Sequence, residues 1–301
     1  MTTPQTAIIP DHCQAGIYIE ANIKLEQHAL IKQACRQSLA ALAQLQSQFP
    51  HLKLGLTIAF GADYWRSFQH LDEGTEIKPF RALGKGLCPA TQCDLMIHIQ
   101  SLLHKVNYAL ASQVLAAFGE AIEVENETHG FRLLEDRGVE GFVDGTENPQ
   151  GDDKVQQVGV IAEGKDAGGS YIVLQQYLHD LDKWNRISIS EQEACIGRSK
   201  ISNEEFSRAD RLPDSHLNRT NLKENGVGLK IVRRSLPFGT VSGEHGLMFI
   251  AYCARLHHIE QQLLHMFGEA DGKTDLLLTH LTRVQRSAYY YAPSVERLQQ
   301  L

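Results

Sequence analysis

The sequence has no apolar run approaching the ~18 residues of a membrane-spanning helix. Excess positive charge is also missing. Lys and Arg number 29 against 36 Asp and Glu, a formal net charge of −7, so composition supplies no basic surface of the kind that grips a phosphate backbone. A soluble chain with no membrane or nucleic-acid partner is expected. Cysteine is scarce: of the 6, only Cys88 and Cys93 lie close together, and no second pair completes a zinc site. Free thiols are expected. The first twenty residues show neither a basic start followed by an apolar stretch nor twin arginines. Together with free thiols, this predicts the cytoplasm.

What is present is an ordinary globular composition, 43% hydrophobic and 22% charged, over 301 residues, with 14 histidines that raise the question of a metal. At roughly 150 residues per domain the length predicts about two folding units. From Gly16 to Ile23, Ile17, Ile19 and Ala21 alternate with Tyr18, Glu20 and Asn22, the period of a half-buried strand. Between Ala29 and Phe49, Ile31, Cys35, Leu39, Leu42, Leu45 and Phe49 recur at helical steps until Pro50 stops the pattern. Leu52 to Phe60 and Asp94 to Gln100 read as strands, and Leu103, Val106, Leu110, Val114 and Phe118 as a second helical stripe.

The second half repeats this grammar. Tyr171 to Tyr177 opens it, His245 to Ala254 is a long apolar strand, Leu256, Ile259, Leu263 and Met266 form a helical stripe, and Ala288 to Tyr291 closes it. The predicted class is α+β, a duplicated ferredoxin-like βαββαβ unit with mainly antiparallel sheets, divided as residues 1–150 and 151–301. Two stretches, Glu135 to Gly168 and Ser199 to Gly228, are too long for simple connections and are where a site is expected.

The first stretch contains Gly141-Phe142-Val143-Asp144-Gly145-Thr146-Glu147-Asn148-Pro149. Asp-Gly and Asn-Pro are common turn signals. The functional alternative is that Gly141 and Gly145 let the backbone approach a flat ligand while Asp144 projects a carboxylate between them. The second stretch carries Pro213-Asp214-Ser215-His216-Leu217-Asn218-Arg219 and leads into Lys230-Ile231-Val232-Arg233-Arg234-Ser235. Strand alternation puts Ile231, Arg233 and Ser235 on one face. Read singly, Arg233 is equally an edge-strand charge and His216 an exposed loop histidine.

Taken in order, these segments resemble the dye-decolourising peroxidase family, specifically its short bacterial class (B-type). GFVDGTENP carries the G-x-x-D-G signature, His216 falls in the proximal-histidine segment, and Arg233 follows 233 − 216 = 17 positions later. The resemblance implies one haem b per chain, hydrogen peroxide as oxidant, and dyes, phenols or other small aromatic or porphyrin-type reductants as one-electron donors. It implies His216 as axial iron ligand, with Asp275 accepting its second ring proton. Asp275 reads equally as a helix N-terminal acid. It implies Asp144 as proton shuttle and Arg233 as fixed positive charge beside peroxide. Gly145, Thr146, Glu147 and Asn148 are expected at the haem edge, Ser235, Leu247 and Phe249 along the distal pocket, and Arg219 on a propionate. Carboxylates titrate well below imidazole, so a distal acid predicts best activity below neutrality.

Trp184, Tyr252 and Tyr289 to Tyr291 are candidate electron carriers, although large aromatics are mostly core. A haem carrier or iron-release protein would use the same pocket, and a cofactor-free assembly module remains a third class. A non-haem site built on His257, His258, His265, His98 and His104 lacks a third ligand at metal-motif spacing. Exposed sheet edges, together with the family's habit, predict a homo-oligomer.

Overall fold

The computed structural model describes residues 2–301 apart from 25, 26 and 71. The first half runs β1 (Ala15–Ile23), α1 (His28–Gln48), β2 (Gly55–Phe60), β3 (Leu95–Ser101), α2 (His104–Phe118) and β4 (Ile122–Phe131). This is the expected βαββαβ order. Leu52 falls in a short 3-10 turn rather than in β2. The second half supplies β5 (Ser170–His179), α3 (His216–Thr220), β6 (Val232–Arg233), β7 (Leu236–Gly239), β8 (His245–Cys253), α4 (Leu256–Met266), α5 (Leu276–His280) and β9 (Thr282–Ala292).

The two halves do not keep separate sheets. One nine-stranded antiparallel sheet runs β5-β9-β2-β3-β1-β4-β7-β8-β6, and β5 pairs again with β8, so the sheet closes on itself. The seams are narrow: β9 meets β2 at Tyr291 and Phe60, and β4 meets β7 at Gly130 and Phe238. Closure abolishes most free edges. The argument from exposed sheet edges to a homo-oligomer therefore does not apply to the nine-stranded sheet.

Closure also corrects the reading of β1 as half-buried. Its helix-facing side packs in the larger core with Ile31, Cys35 and Val106, while Tyr18 lies in a second core inside the ring with Met96, Met248, Ile250, Tyr252 and Tyr290. A strand buried on both faces must satisfy its polar groups internally. Glu20, with no exposure, accepts hydrogen bonds from Arg286 Nε at 2.8 Å and Tyr290 Oη at 2.8 Å. Tyr18 Oη donates to the Arg234 carbonyl at 3.0 Å, and Tyr252 Oη meets His98 Nδ1 at 2.7 Å. All six cysteines are buried and unpaired with one another.

Candidate functional site

Outside the ring, between its second-half face and helices α3, α4 and α5, lies a cavity with mostly apolar walls. β5 contributes Val173 and Tyr177, β8 contributes Leu247 and Phe249, α4 contributes Ile259, Leu263 and Met266, and the α5 region contributes Leu277, Leu278 and Leu281. The even-numbered neighbours Leu174, Met248 and Ile250 point into the ring instead, as strand alternation requires.

His216 enters this cavity from the first residue of α3. Its Nδ1 lies 2.7 Å from Asp275 Oδ2, and Asp275 has no exposure. The carboxylate can only accept there, so Nδ1 carries the hydrogen and Nε2 keeps its lone pair. Nε2 has no hydrogen-bond partner among the described residues. The two sequence readings of Asp275 are both realised. Its other oxygen caps α5 by accepting from Leu277 N at 2.9 Å, so one carboxylate starts a helix and fixes an imidazole.

Asp144 and Arg233 line the same cavity, with Nη1 to Oδ1 at 3.4 Å. Their backbones are pinned. Asn148 Nδ2 donates to Arg233 O at 2.9 Å and its Oδ1 accepts from Arg233 N at 2.8 Å, so a side-chain amide takes the place of a neighbouring strand. Asp144 N donates to Asp136 O at 2.8 Å, and Asp144 Oδ1 accepts from Gly145 N at 2.7 Å. Gly145 has φ +89°, a conformation that favours glycine, and a Cβ there would meet nothing nearer than 3.9 Å. That leaves the backbone open to close approach by a ligand. At Gly141 a Cβ would meet Lys200 Cε at 2.8 Å, so this glycine makes room for a lysine rather than a ligand.

Thr146, Glu147, Leu247 and Phe249 line the cavity, whereas three other residues singled out from sequence make different contacts. Asn148 spends its amide on Arg233. Ser235 accepts from Ile250 N at 3.1 Å and faces a smaller adjoining chamber that shares Asp144, Gly145, Thr146 and Arg233 with the main one. Arg219 does not reach the cavity at all. Its guanidinium is held by Asp271 through Nη1 and Nη2 at 2.9 and 2.6 Å and by the His265 carbonyl at 2.9 Å. A buried guanidinium is retained where its donors are saturated, which corrects its assignment to a propionate.

Besides Arg233, two further cations line the cavity that were not singled out from sequence. Arg198 Nη2 contacts Glu147 Oε1 at 2.5 Å, and Lys230 Nζ lies 3.2 Å from Glu147 Oε2. Burial raises the Glu147 carboxyl, but hydrogen bonding to Lys230 and the charges of Lys230, Arg198 and Arg233 outweigh it and leave Glu147 below its ordinary range. Arg198 Nη2 also lies 3.2 Å from Glu205 Oε2, so its charge is shared between two carboxylates, and Lys230 is the cation left to meet an anionic ligand group. The sequence signal of both cations was weak, since each reads as a surface charge.

None of the proposed electron carriers lines the cavity. Trp184 touches two residues that do line it, donating from Nε1 to the Glu140 carbonyl at 3.2 Å and packing edge-on to Phe142. Tyr252 and Tyr290 sit inside the ring. Among the described residues no group of three or more His, Cys, Asp or Glu side chains is placed to hold a metal ion. His257 instead meets Glu224, and His104 meets His129.

Two family models cover the chain: Dyp-type peroxidase, N-terminal, over residues 5–132 and Dyp-type peroxidase, C-terminal, over residues 135–297. A dye-decolorizing peroxidase of Mycobacterium tuberculosis is 32% identical over 302 residues, spanning 98% of this chain and 90% of the relative. Among solved structures, a dye-decolorizing protein from V. cholerae superposes with a TM-score of 0.93 at 38% identity, covering 98% of this chain and 99% of that one. A DypB variant from Rhodococcus jostii RHA1 in complex with heme gives 0.91 at 29% identity, covering 99% and 98%.

Proposed function

Because the chain belongs to the Dyp-type peroxidase family and is a haem peroxidase, we propose that it holds one haem b in the main cavity, with His216 as axial ligand. The observation that carries this reading is a single cavity lined at once by an imidazole with a free Nε2 and by a carboxylate–guanidinium pair. The residues fit the group. Imidazole is the usual proximal ligand of peroxidase haem, the walls are mostly apolar, Gly145 leaves its backbone bare, and Lys230 suits a carboxylate. When bound, haem supplies the iron through which electrons pass from donor to peroxide.

The chain's own side chains do the rest. Asp275 fixes the His216 tautomer and increases the electron donation of Nε2. Asp144 takes the proton from one peroxide oxygen and returns it to the other, so that the bond between them breaks with water as leaving group. Arg233 stays protonated and stabilises the negative charge that develops on the oxygens. The overall balance is hydrogen peroxide, two electrons and two protons to two waters. The donors that suit a buried cofactor are small aromatic or porphyrin-type molecules giving one electron at a time. Carriage or iron release would need His216 and the pocket alone.

His216→Ala is expected to lose the Soret spectrum of an imidazole-bound haem and to regain it when free imidazole is added. An unchanged spectrum in the variant would remove His216 from the iron.

A further inference from the structure

Four residues before Asp144, the same loop turns a second carboxyl toward the cavity. Glu140 and His179, the latter at the end of β5, both line it, with Oε2 and Nε2 4.0 Å apart and side chains 15% and 7% exposed. Hydrogen-bond accounting fixes the ring. Thr282 Oγ1 donates to the Leu178 carbonyl at 3.0 Å, so toward His179 Nδ1, 2.9 Å away, it offers a lone pair. Nδ1 therefore carries the hydrogen, and Nε2 is a bare lone pair on the Glu140 side.

The surroundings raise the proton affinity of the carboxyl and lower that of the imidazole. Burial pushes Glu140 up to about 7, the charge of Asp144 adds to this, and backbone hydrogen bonds and Lys200 only partly oppose it. Burial pushes His179 down to about 4, with His245 from β8 adding. Lys200 itself is turned to Gln192, its Nζ 2.6 Å from Oε1. Near neutral pH the wall thus presents a carboxyl that is about half protonated beside a neutral imidazole able to accept. Each turnover consumes two protons beyond the one that Asp144 transfers within peroxide, and they must enter a cavity whose walls are mostly apolar.

We propose that Glu140 and His179 form a proton-supplying pair for this cavity, Glu140 donating a proton consumed in peroxide reduction and His179 offering a neutral acceptor beside it. This rests on the reading of Asp144 as the group that moves the peroxide proton. Glu140 becomes carboxylate as it donates and is reprotonated from solvent, so the cycle adds no net charge.

The test uses the haem-loaded protein. Infrared titration is expected to show a protonated-carboxyl band that disappears as pH rises through neutrality and is missing in Glu140→Gln. With ferrocyanide, a donor that brings no proton, Glu140→Gln should slow turnover about tenfold at pH 7, less than the 10²–10⁴-fold typical of a direct acid–base group because water still delivers. With a phenol, which brings its own proton, the loss should be smaller. His179→Gln should slow the same step, and the double variant should be no slower than the slower single one. No such band, or ferrocyanide turnover equal to wild type in Glu140→Gln, overturns the proposal. Rapid mixing with peroxide separates the two readings: if Asp144→Ala reacts as fast as wild type, the underlying assignment fails, and if only Glu140→Gln is silent, this one fails alone.

Discussion

Asp275 does two jobs with two oxygens, capping α5 and fixing His216, and their separation is testable. Asp275→Asn keeps a cap acceptor but weakens the charge behind the imidazole. The iron–histidine stretching frequency of the ferrous protein should fall, with haem affinity lower by about 10–100-fold, the usual cost of losing such a partner. An unchanged frequency would leave Asp275 as a cap only. Glu140 and His179 make a second residue-scale statement, about stability. A carboxyl raised from 4.5 to about 7 stabilises the fold below 4.5 and loses that contribution as pH rises through 7. An imidazole lowered from 6.5 to about 4 does the reverse, losing its contribution as pH falls through 4. The two slopes oppose each other in the wild type. Relative to wild type, Glu140→Gln should therefore gain roughly 2–3 kcal/mol between pH 5 and pH 8 in urea unfolding. Parallel curves would contradict the buried acid.

At the scale of elements, what reads from sequence is what water touches on one side. The helical stripes of α1 and α2 are legible because each helix has a wet face, and Ile31, Cys35, Leu42 and Leu45 are buried as their spacing implies. The alternation Ile231, Arg233 against Val232, Arg234 is legible for the same reason. Arg219 misleads because its three-residue distance from His216 is sequence proximity along a five-residue helix, while the carboxylate that claims it, Asp271, lies on a different segment. Arg219→Ala should cost about 1.5–3 kcal/mol, the range for hydrogen bonds to charged groups, yet leave the haem spectrum untouched. A shifted Soret band would return it to the cofactor. Arg198 and Lys230 escape notice for the opposite reason, since nothing local distinguishes a cavity cation from a solvated one.

At the scale of the whole molecule, duplication is visible in the sequence and closure is not. Period-two alternation reports that two faces differ, but not that the polar-looking face of β1 meets another sheet rather than water. Glu20, Tyr18 and His98 acquire partners only once the ring exists. The seams that close it are short, and Gly130 sits in one of them. A Cβ there would meet Leu236 Cβ at 2.8 Å and the Tyr18 ring at 3.2 Å. Gly130→Ala is expected to destabilise by about 1–3 kcal/mol, as overpacking does, seen as a lower urea midpoint. An unchanged midpoint would mean that the seam gives way freely. The same closure places the site, since it holds β6 and β8 as a rigid wall on which Arg233 faces the loop bearing Asp144.

The claim that joins these scales is that Asp144 moves the peroxide proton in a cavity that His216 also lines. Stopped-flow mixing of the haem-loaded protein with one equivalent of hydrogen peroxide tests it most directly, in wild type and in Asp144→Ala at the same pH. The account predicts that the Soret change slows by about 10²–10⁴-fold in the variant, the range of general acid–base catalysis. Equal rates in the two proteins would contradict it.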